Sequence, residues 1–160
     1  MIEIRRLGPE EWSTIRSVRL AALLDTPDWF WATHEEEVGR TEAWWRDFVG
    51  AGAWFVAFEG RRPVGIAAGL RDPELGEASR RVVSMWVEPA ARESGVGTAL
   101  IDAVVDWARG DGARDLQLQV TSGNQAAARL YERRGFALTS RSEAHPRDPT
   151  LIEREMRLVL

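Results

Sequence analysis

At 160 residues, 44% of them apolar and 29% charged, the chain is long enough for one domain with a substantial core and too short for two comfortable ones. It has no cysteine, which excludes disulfides, thiolate metal ligands and a cysteine nucleophile, and with only His34 and His145 no histidine-rich metal site is expected. A formal net charge of −4 argues against a nucleic-acid footprint and suits a cationic substrate.

No apolar run is long enough to span a bilayer, and the opening MIEIRRLGPEEW lacks the apolar core of a secretory signal. A cytoplasmic protein with no membrane partner is therefore expected. Lysine is absent and every other basic residue is arginine, so the Walker phosphate loop, which requires G-K-[ST], is ruled out together with its NTPase chemistry.

In chain order, residues 2–7 read as a short strand. Pro9 opens a helix whose apolar positions are Trp12, Ile15, Val18 or Arg19, and Ala22. Residues 25–39 read as irregular. Thr41 is placed to cap a short helix through EAWWRDFV. AWFVAFE and PVGIAAGLR form a hairpin about Gly60-Arg61-Arg62, and SRRVVSMWV is a third strand ending at Glu88-Pro89. A glycine turn then feeds a helix from Thr98 to about Arg109, with Leu100, Ile101, Val104, Val105 and Ala108 as its apolar stripe. RDLQLQV alternates as a strand, NQAAARLYERRG is a helix closed by Gly135, and FALTSRSE and LIEREMRLVL are a final strand pair.

The turn PAARESGVGTAL brings backbone amides and a helix N-terminus to one point, an arrangement that favours a phosphate. A dinucleotide fingerprint does not fit. Leu100 stands where its third glycine would be, and Asp115 opens the following strand instead of ending it.

What remains is R-x-x-G-x-G after a strand ending V-x-P: Val87, Pro89, Arg92, Gly95 and Gly97. This segment resembles the acetyl-CoA pyrophosphate loop of the GNAT superfamily of N-acetyltransferases. NQAAARLYERRGF resembles the superfamily's next motif, at Asn124, Ala127, Tyr131, Gly135 and Phe136. The order of strands and helices is similar from end to end. The resemblance implies one α/β domain over residues 1–160. Its mixed, mostly antiparallel sheet would have six to seven strands, splayed at the centre and flanked by about four helices. It also implies an acyltransferase with acetyl-CoA as co-substrate and no metal. The acetyl group would pass directly to a primary amine within a ternary complex. A homodimer is a further implication.

On that resemblance the amides of Glu93, Ser94, Gly95, Val96, Gly97 and Thr98 hold the pyrophosphate, and Arg92 supplies or shapes positive charge beside them. Met85 and Val87 offer backbone groups to the pantetheine arm. Tyr131, the only tyrosine, lies two helical turns from Asn124 on the same face. Its phenol is the candidate general acid for the departing thiolate, against the alternative of a core aromatic. Asn124 is a helix cap, a cofactor contact or both.

Some family members carry a basic glutamate six residues ahead of the Val87 position; here Arg81 stands there. The general base stays open among His34, Glu35, Glu36, Glu37, Glu77 and Glu88. For the acceptor, Trp29, Phe30, Trp31 and His34 are the candidate contacts. Six of the eight tryptophans precede Gly60, and an aromatic set beside glutamates suits a bulky amine. Two alternatives stand beside a small-molecule acceptor: a protein or peptide N-acetyltransferase, and a non-catalytic acyl-CoA-binding module.

Overall fold

The computed structural model describes residues Met1–Leu160. Its strands are β1 (Ile2–Leu7), β2 (Gly52–Glu59), β3 (Arg62–Leu70), β4 (Ser79–Val87), β5 (Asp115–Thr121), β6 (Ala137–Ala144) and β7 (Ile152–Val159). They form one sheet in the order β1-β2-β3-β4-β5-β7-β6. Every neighbouring pair is antiparallel except β4 with β5.

The helices are α1 (Trp12–Asp25), α2 (His34–Val38), α3 (Glu42–Gly50), α4 (Val96–Gly110) and α5 (Gln125–Arg133). Five helices replace the four expected. The extra one lies in the stretch read as irregular, where Pro27–Trp29 also forms a single 3-10 turn. Its cause is local. Thr33 and Glu36 form a reciprocal capping box: the Glu36 amide donates to the Thr33 hydroxyl at 3.2 Å, and the Thr33 amide donates to Glu36 Oε2 at 3.2 Å. α4 begins at Val96, two residues earlier than its sequence pattern suggested.

The central strands are apolar on both faces because both faces are covered. Along β2, Ala53, Phe55 and Ala57 join the core under α4 and α5, while Trp54, Val56 and Phe58 join the core under α1 and α3. Val18 and Arg19, offered as alternatives for the α1 stripe, are both buried. β6 at the far edge is almost wholly exposed.

The β4–β5 pair is the exception that shapes the molecule. Its register runs only from Ser79↔Asp115 to Arg81↔Gln117. Beyond that point the strands separate, as the splayed sheet requires. On its other side β4 slips register against β3 between Ile66 and Ala68, and Ser84 takes a left-handed φ of 59°. The bulge bends β4 away from β5 where the gap opens.

The closed end of this wedge is fastened by charge. Asp111, just past α4, accepts from Arg80 Nε at 2.7 Å and from Arg71 Nη2 at 2.7 Å. These two guanidiniums hold its carboxyl well below the usual carboxylate range. A depressed folded-state pKa stabilises the fold above the unfolded value and loses that contribution as pH falls. Asp111→Asn should therefore cost about 1–2 kcal/mol at neutral pH, discounted for partial solvent screening. The gap in melting temperature between variant and parent should close as pH drops below about 4.

Candidate active site

The turn before α4 carries the most distinctive backbone in the chain. Glu93 and Gly95 both adopt positive φ, 62° and 89°. None of the amides from Glu93 through Thr98 donates to an acceptor in the protein; the first bond of α4 runs from the Ala99 amide to the Gly95 carbonyl at 3.0 Å. A run of unsatisfied donors at a helix N-terminus is an anion cradle. The two glycines serve it differently. Gly95 is needed for its dihedral, since a Cβ there would meet nothing within 4 Å. Gly97 is needed for space, since its Cβ would lie 3.0 Å from Leu130 Cδ2 and 3.3 Å from Met85 Cε.

Arg92 shapes this loop and is not a free charge. Its Nε donates to the Val87 carbonyl at 2.8 Å and its Nη2 to Asp25 Oδ2 at 2.6 Å. Trp86 Nε1 donates to the same Asp25 oxygen at 3.0 Å. One carboxylate at the end of α1 thus ties down β4 and the loop together. Of the Val87 backbone groups, the carbonyl is thus engaged within the protein by Arg92.

Beside the loop a cleft of about 310 Å³ runs between β4 and α5, with Met85, Val87, Gly97, Thr98 and Asn124 among its walls. Arg129 and Arg133, four residues apart on α5, also line it and bring the positive charge that Arg92 does not. Sequence reasoning passed over them, although their helical spacing was visible in AARLYERR.

The cleft leads into a smaller cavity of about 70 Å³ in the gap between β4 and β5. Met85 and Asn124 border both spaces. Asn124 caps α5 by accepting from the Ala127 amide at 3.4 Å. Tyr131 also lines the gap, with its ring 5% exposed and packed near Phe136. Burial raises its phenol above the ordinary value, which keeps the proton on the oxygen at neutral pH.

On the opposite side of β4, a cavity of about 740 Å³ shares Ser84 and Gln119 with the gap. Trp29, Phe30 and Trp31 line it as a set, joined by Phe48 and Trp54. His34 is not in its wall; it begins α2 outside the cavity. Of the acidic candidates only Glu37 faces inward, and Arg19 takes both its oxygens, at 2.9 and 2.8 Å. Arg19 also donates to Ser84 Oγ and lies over the Phe30 and Phe48 rings. Glu88 is paired with Arg62, and Glu35, Glu36 and Glu77 are exposed and away from the cavity.

The aromatic wall is held from behind by the loop between β6 and β7. Arg147 donates to the carbonyls of Pro27, Phe30 and Trp31 at 2.9, 2.6 and 2.8 Å. His145 Nε2 lies 3.1 Å from the Phe30 carbonyl, and the Arg147 amide donates to His145 Nδ1 at 3.1 Å. These latch residues were not among the sequence candidates, because nothing local links them to residues 27–31.

Three spaces therefore join across the bulged strand: an anion cradle with its cleft, a gap holding a protonated phenol, and an aromatic cavity. The family model that matches residues 19–136 is that of the acetyltransferase (GNAT) family. The chain belongs to this family. The unpaired amides of residues 93–98 fit a phosphate-bearing group.

This GNAT chain is 34% identical over 138 residues to mycothiol acetyltransferase of Rhodococcus erythropolis, covering 81% of this chain and 44% of that protein. It is 30% identical over 140 residues to the L-methionine sulfoximine/L-methionine sulfone acetyltransferase of Pseudomonas paraeruginosa, covering 77% of this chain and 81% of the other. The chain spans less than half the length of several relatives it matches. In fold it superposes on a GNAT acetyltransferase of Streptococcus pneumoniae with a TM-score of 0.84 at 19% identity, covering 100% of both chains. It superposes on YncA of Salmonella typhimurium, solved with acetyl-CoA, with a TM-score of 0.76 at 22% identity, covering 99% of this chain and 94% of that one.

The packing at Gly97 yields a direct check. Gly97→Val must push Leu130 and Met85 aside and so move the cradle relative to α5. Calorimetry should show acetyl-CoA affinity falling at least about tenfold, near 1.4 kcal/mol, while circular dichroism shows a folded protein.

Proposed function

We propose that the protein transfers an acetyl group from acetyl-CoA directly to the primary amine of a small molecule, within a ternary complex. The observation that carries this reading is that the three spaces share their walls. The cleft meets the gap at Met85 and Asn124, and the gap meets the aromatic cavity at Ser84 and Gln119. Donor and acceptor can approach the gap from opposite sides of β4 and react without a covalent enzyme intermediate. The absence of cysteine is consistent with that route. A walled aromatic cavity favours a compact acceptor over a peptide laid along a surface. Two relatives whose names specify small molecules, mycothiol and methionine sulfoximine or sulfone, point the same way.

In this reading the amides of residues 93–98 hold the pyrophosphate, with Arg129 and Arg133 adding charge. The unpaired edge of β4 from Val82 onward receives the pantetheine arm as an added strand would, and leaves an amide for the thioester oxygen. The acceptor nitrogen attacks the thioester carbon. As the carbon–sulfur bond breaks, Tyr131 protonates the leaving thiolate. Desolvation raises the phenol, and the same dry gap raises the thiol from its free value of about 8.5, so the two stay closer than their values in water suggest. An intact phenol lining the gap favours catalysis over a binding-only module.

Thiol release measured across a panel of amines, amino acids and peptides tests the acceptor class; activity confined to peptides would overturn the small-molecule reading. Tyr131→Phe keeps the ring and removes one hydroxyl. It should lower kcat on the order of 10²–10⁴-fold and leave the acetyl-CoA Kd nearly unchanged. The loss should shrink with acyl donors whose thiols are more acidic. Near-full turnover in the variant would reduce Tyr131 to packing.

A further inference from the structure

Glu153 on β7 stands apart from the other carboxylates around the aromatic cavity. Glu37 is neutralised by Arg19, Asp72 accepts from Arg81 Nε at 2.8 Å, Glu143 accepts from Gln119 at 2.8 Å, and both Glu74 and Glu143 are exposed to solvent. Glu153 is 3% exposed and has no arginine partner. Its Oε1 accepts from the Thr121 hydroxyl at 2.7 Å. Its Oε2 accepts no hydrogen bond, yet it is not among the sealed, unpartnered atoms of the interior, so it opens on the cavity.

The nearest basic group is His145, whose Nε2 lies 3.9 Å from Glu153 Oε1. His145 is committed elsewhere. Its Nδ1 accepts the Arg147 amide, which assigns the proton to Nε2, directed at the Phe30 carbonyl. Both ring nitrogens are thus engaged by groups other than the carboxylate. A buried carboxylate without a cation is costly to maintain unless something completes it. The missing partner must come from the cavity, and it must be positive. The aromatic part of that wall, Trp29, Phe30, Trp31 and Trp54, suits an ammonium on an apolar frame, and the two arginines in it, Arg19 and Arg81, are already paired with Glu37 and Asp72.

We infer that Glu153 is the group that binds the acceptor's ammonium and removes its proton. The assignment rests on the small-molecule amine reading above. Thr121, which holds Glu153 Oε1, itself lines the gap between β4 and β5, so the carboxylate stands one hydrogen bond from the space where the thioester would lie. The step balances. One ammonium proton passes to Glu153 Oε2, and the freed lone pair forms the carbon–nitrogen bond. The carbon–sulfur bond breaks with its electrons going to sulfur, which takes the Tyr131 proton. The second nitrogen proton is lost through water and restores the phenol, and Glu153 returns its proton to solvent.

The test compares two amines of similar shape: 2-phenylethylamine, protonated at neutral pH, and 4-ethylaniline, neutral there. Glu153→Gln can still accept from Thr121 but carries no charge. With 2-phenylethylamine it should lower kcat/KM on the order of 10²–10⁴-fold, and with 4-ethylaniline less than about tenfold. Its acetyl-CoA affinity by calorimetry should match the parent. If the glutamine variant does not fold, Glu153→Asp carries the same comparison, since it keeps the charge and withdraws the carboxylate by one methylene. Equal losses with both amines, or no loss, would overturn the assignment while leaving the acetyltransferase reading intact. A parent protein that acetylates neither amine would overturn this assignment for aryl-ethyl acceptors, and the small-molecule reading falls with it only where the wider panel shows activity confined to peptides.

Discussion

β4 and β5 stop pairing after Arg81 and Gln117, and the rest of the site follows from that interruption. A continuous parallel pair would fill the sheet with backbone hydrogen bonds and leave no route between its faces. Here the left-handed Ser84 bends β4, and the closed end is fastened by Arg80 and Asp111. The backbone groups of β4 from Val82 onward lose their β5 partners, a cost that a bound strand-like ligand would recover. One edge of this strand faces the donor side. Its bulge, through Ser84 and Arg19, faces the acceptor side.

Fixing such an opening needs restraints from outside the sheet. Asp25 provides one at the donor end, receiving both Trp86 and Arg92. Arg19 provides another at the acceptor end, joining α1 to Glu37 of α2 and to Ser84. Both anchors belong to α1. That helix therefore holds the unpaired segment at two points, Ser84 and Trp86, which is how a sheet gap can keep a defined width without pairing across it.

The parts of this arrangement legible in the sequence are those that depend on near neighbours. Strand alternation, the α4 stripe, the Thr41 cap and the glycine turn are all local patterns, and they recur in the structure. Two local signals were passed over: the T-x-x-E box that starts α2, and the Arg129/Arg133 spacing on α5. The distant pairings were not legible at all. The sequence shows Arg92 beside the loop but not Asp25 holding it, and it shows Glu37 among six base candidates but not Arg19 on both its oxygens. Glu153 and His145 lie in a charged stretch whose burial depends on the packing of three other segments. Charge identity is written in the sequence; charge pairing across 18 to 67 positions is not.

The Arg147 latch has a consequence for the order in which the molecule is built. The carbonyls of residues 27–31 receive their donors from residues 115 to 120 positions further along the chain. During synthesis from the N-terminus, the turn at Pro27 emerges early and waits with its polar groups open to water. The cradle before α4 takes its most distant anchor, Asp25, from a segment that emerges before it. The aromatic pocket, in contrast, gains its back wall only once the segment carrying His145 and Arg147 has emerged.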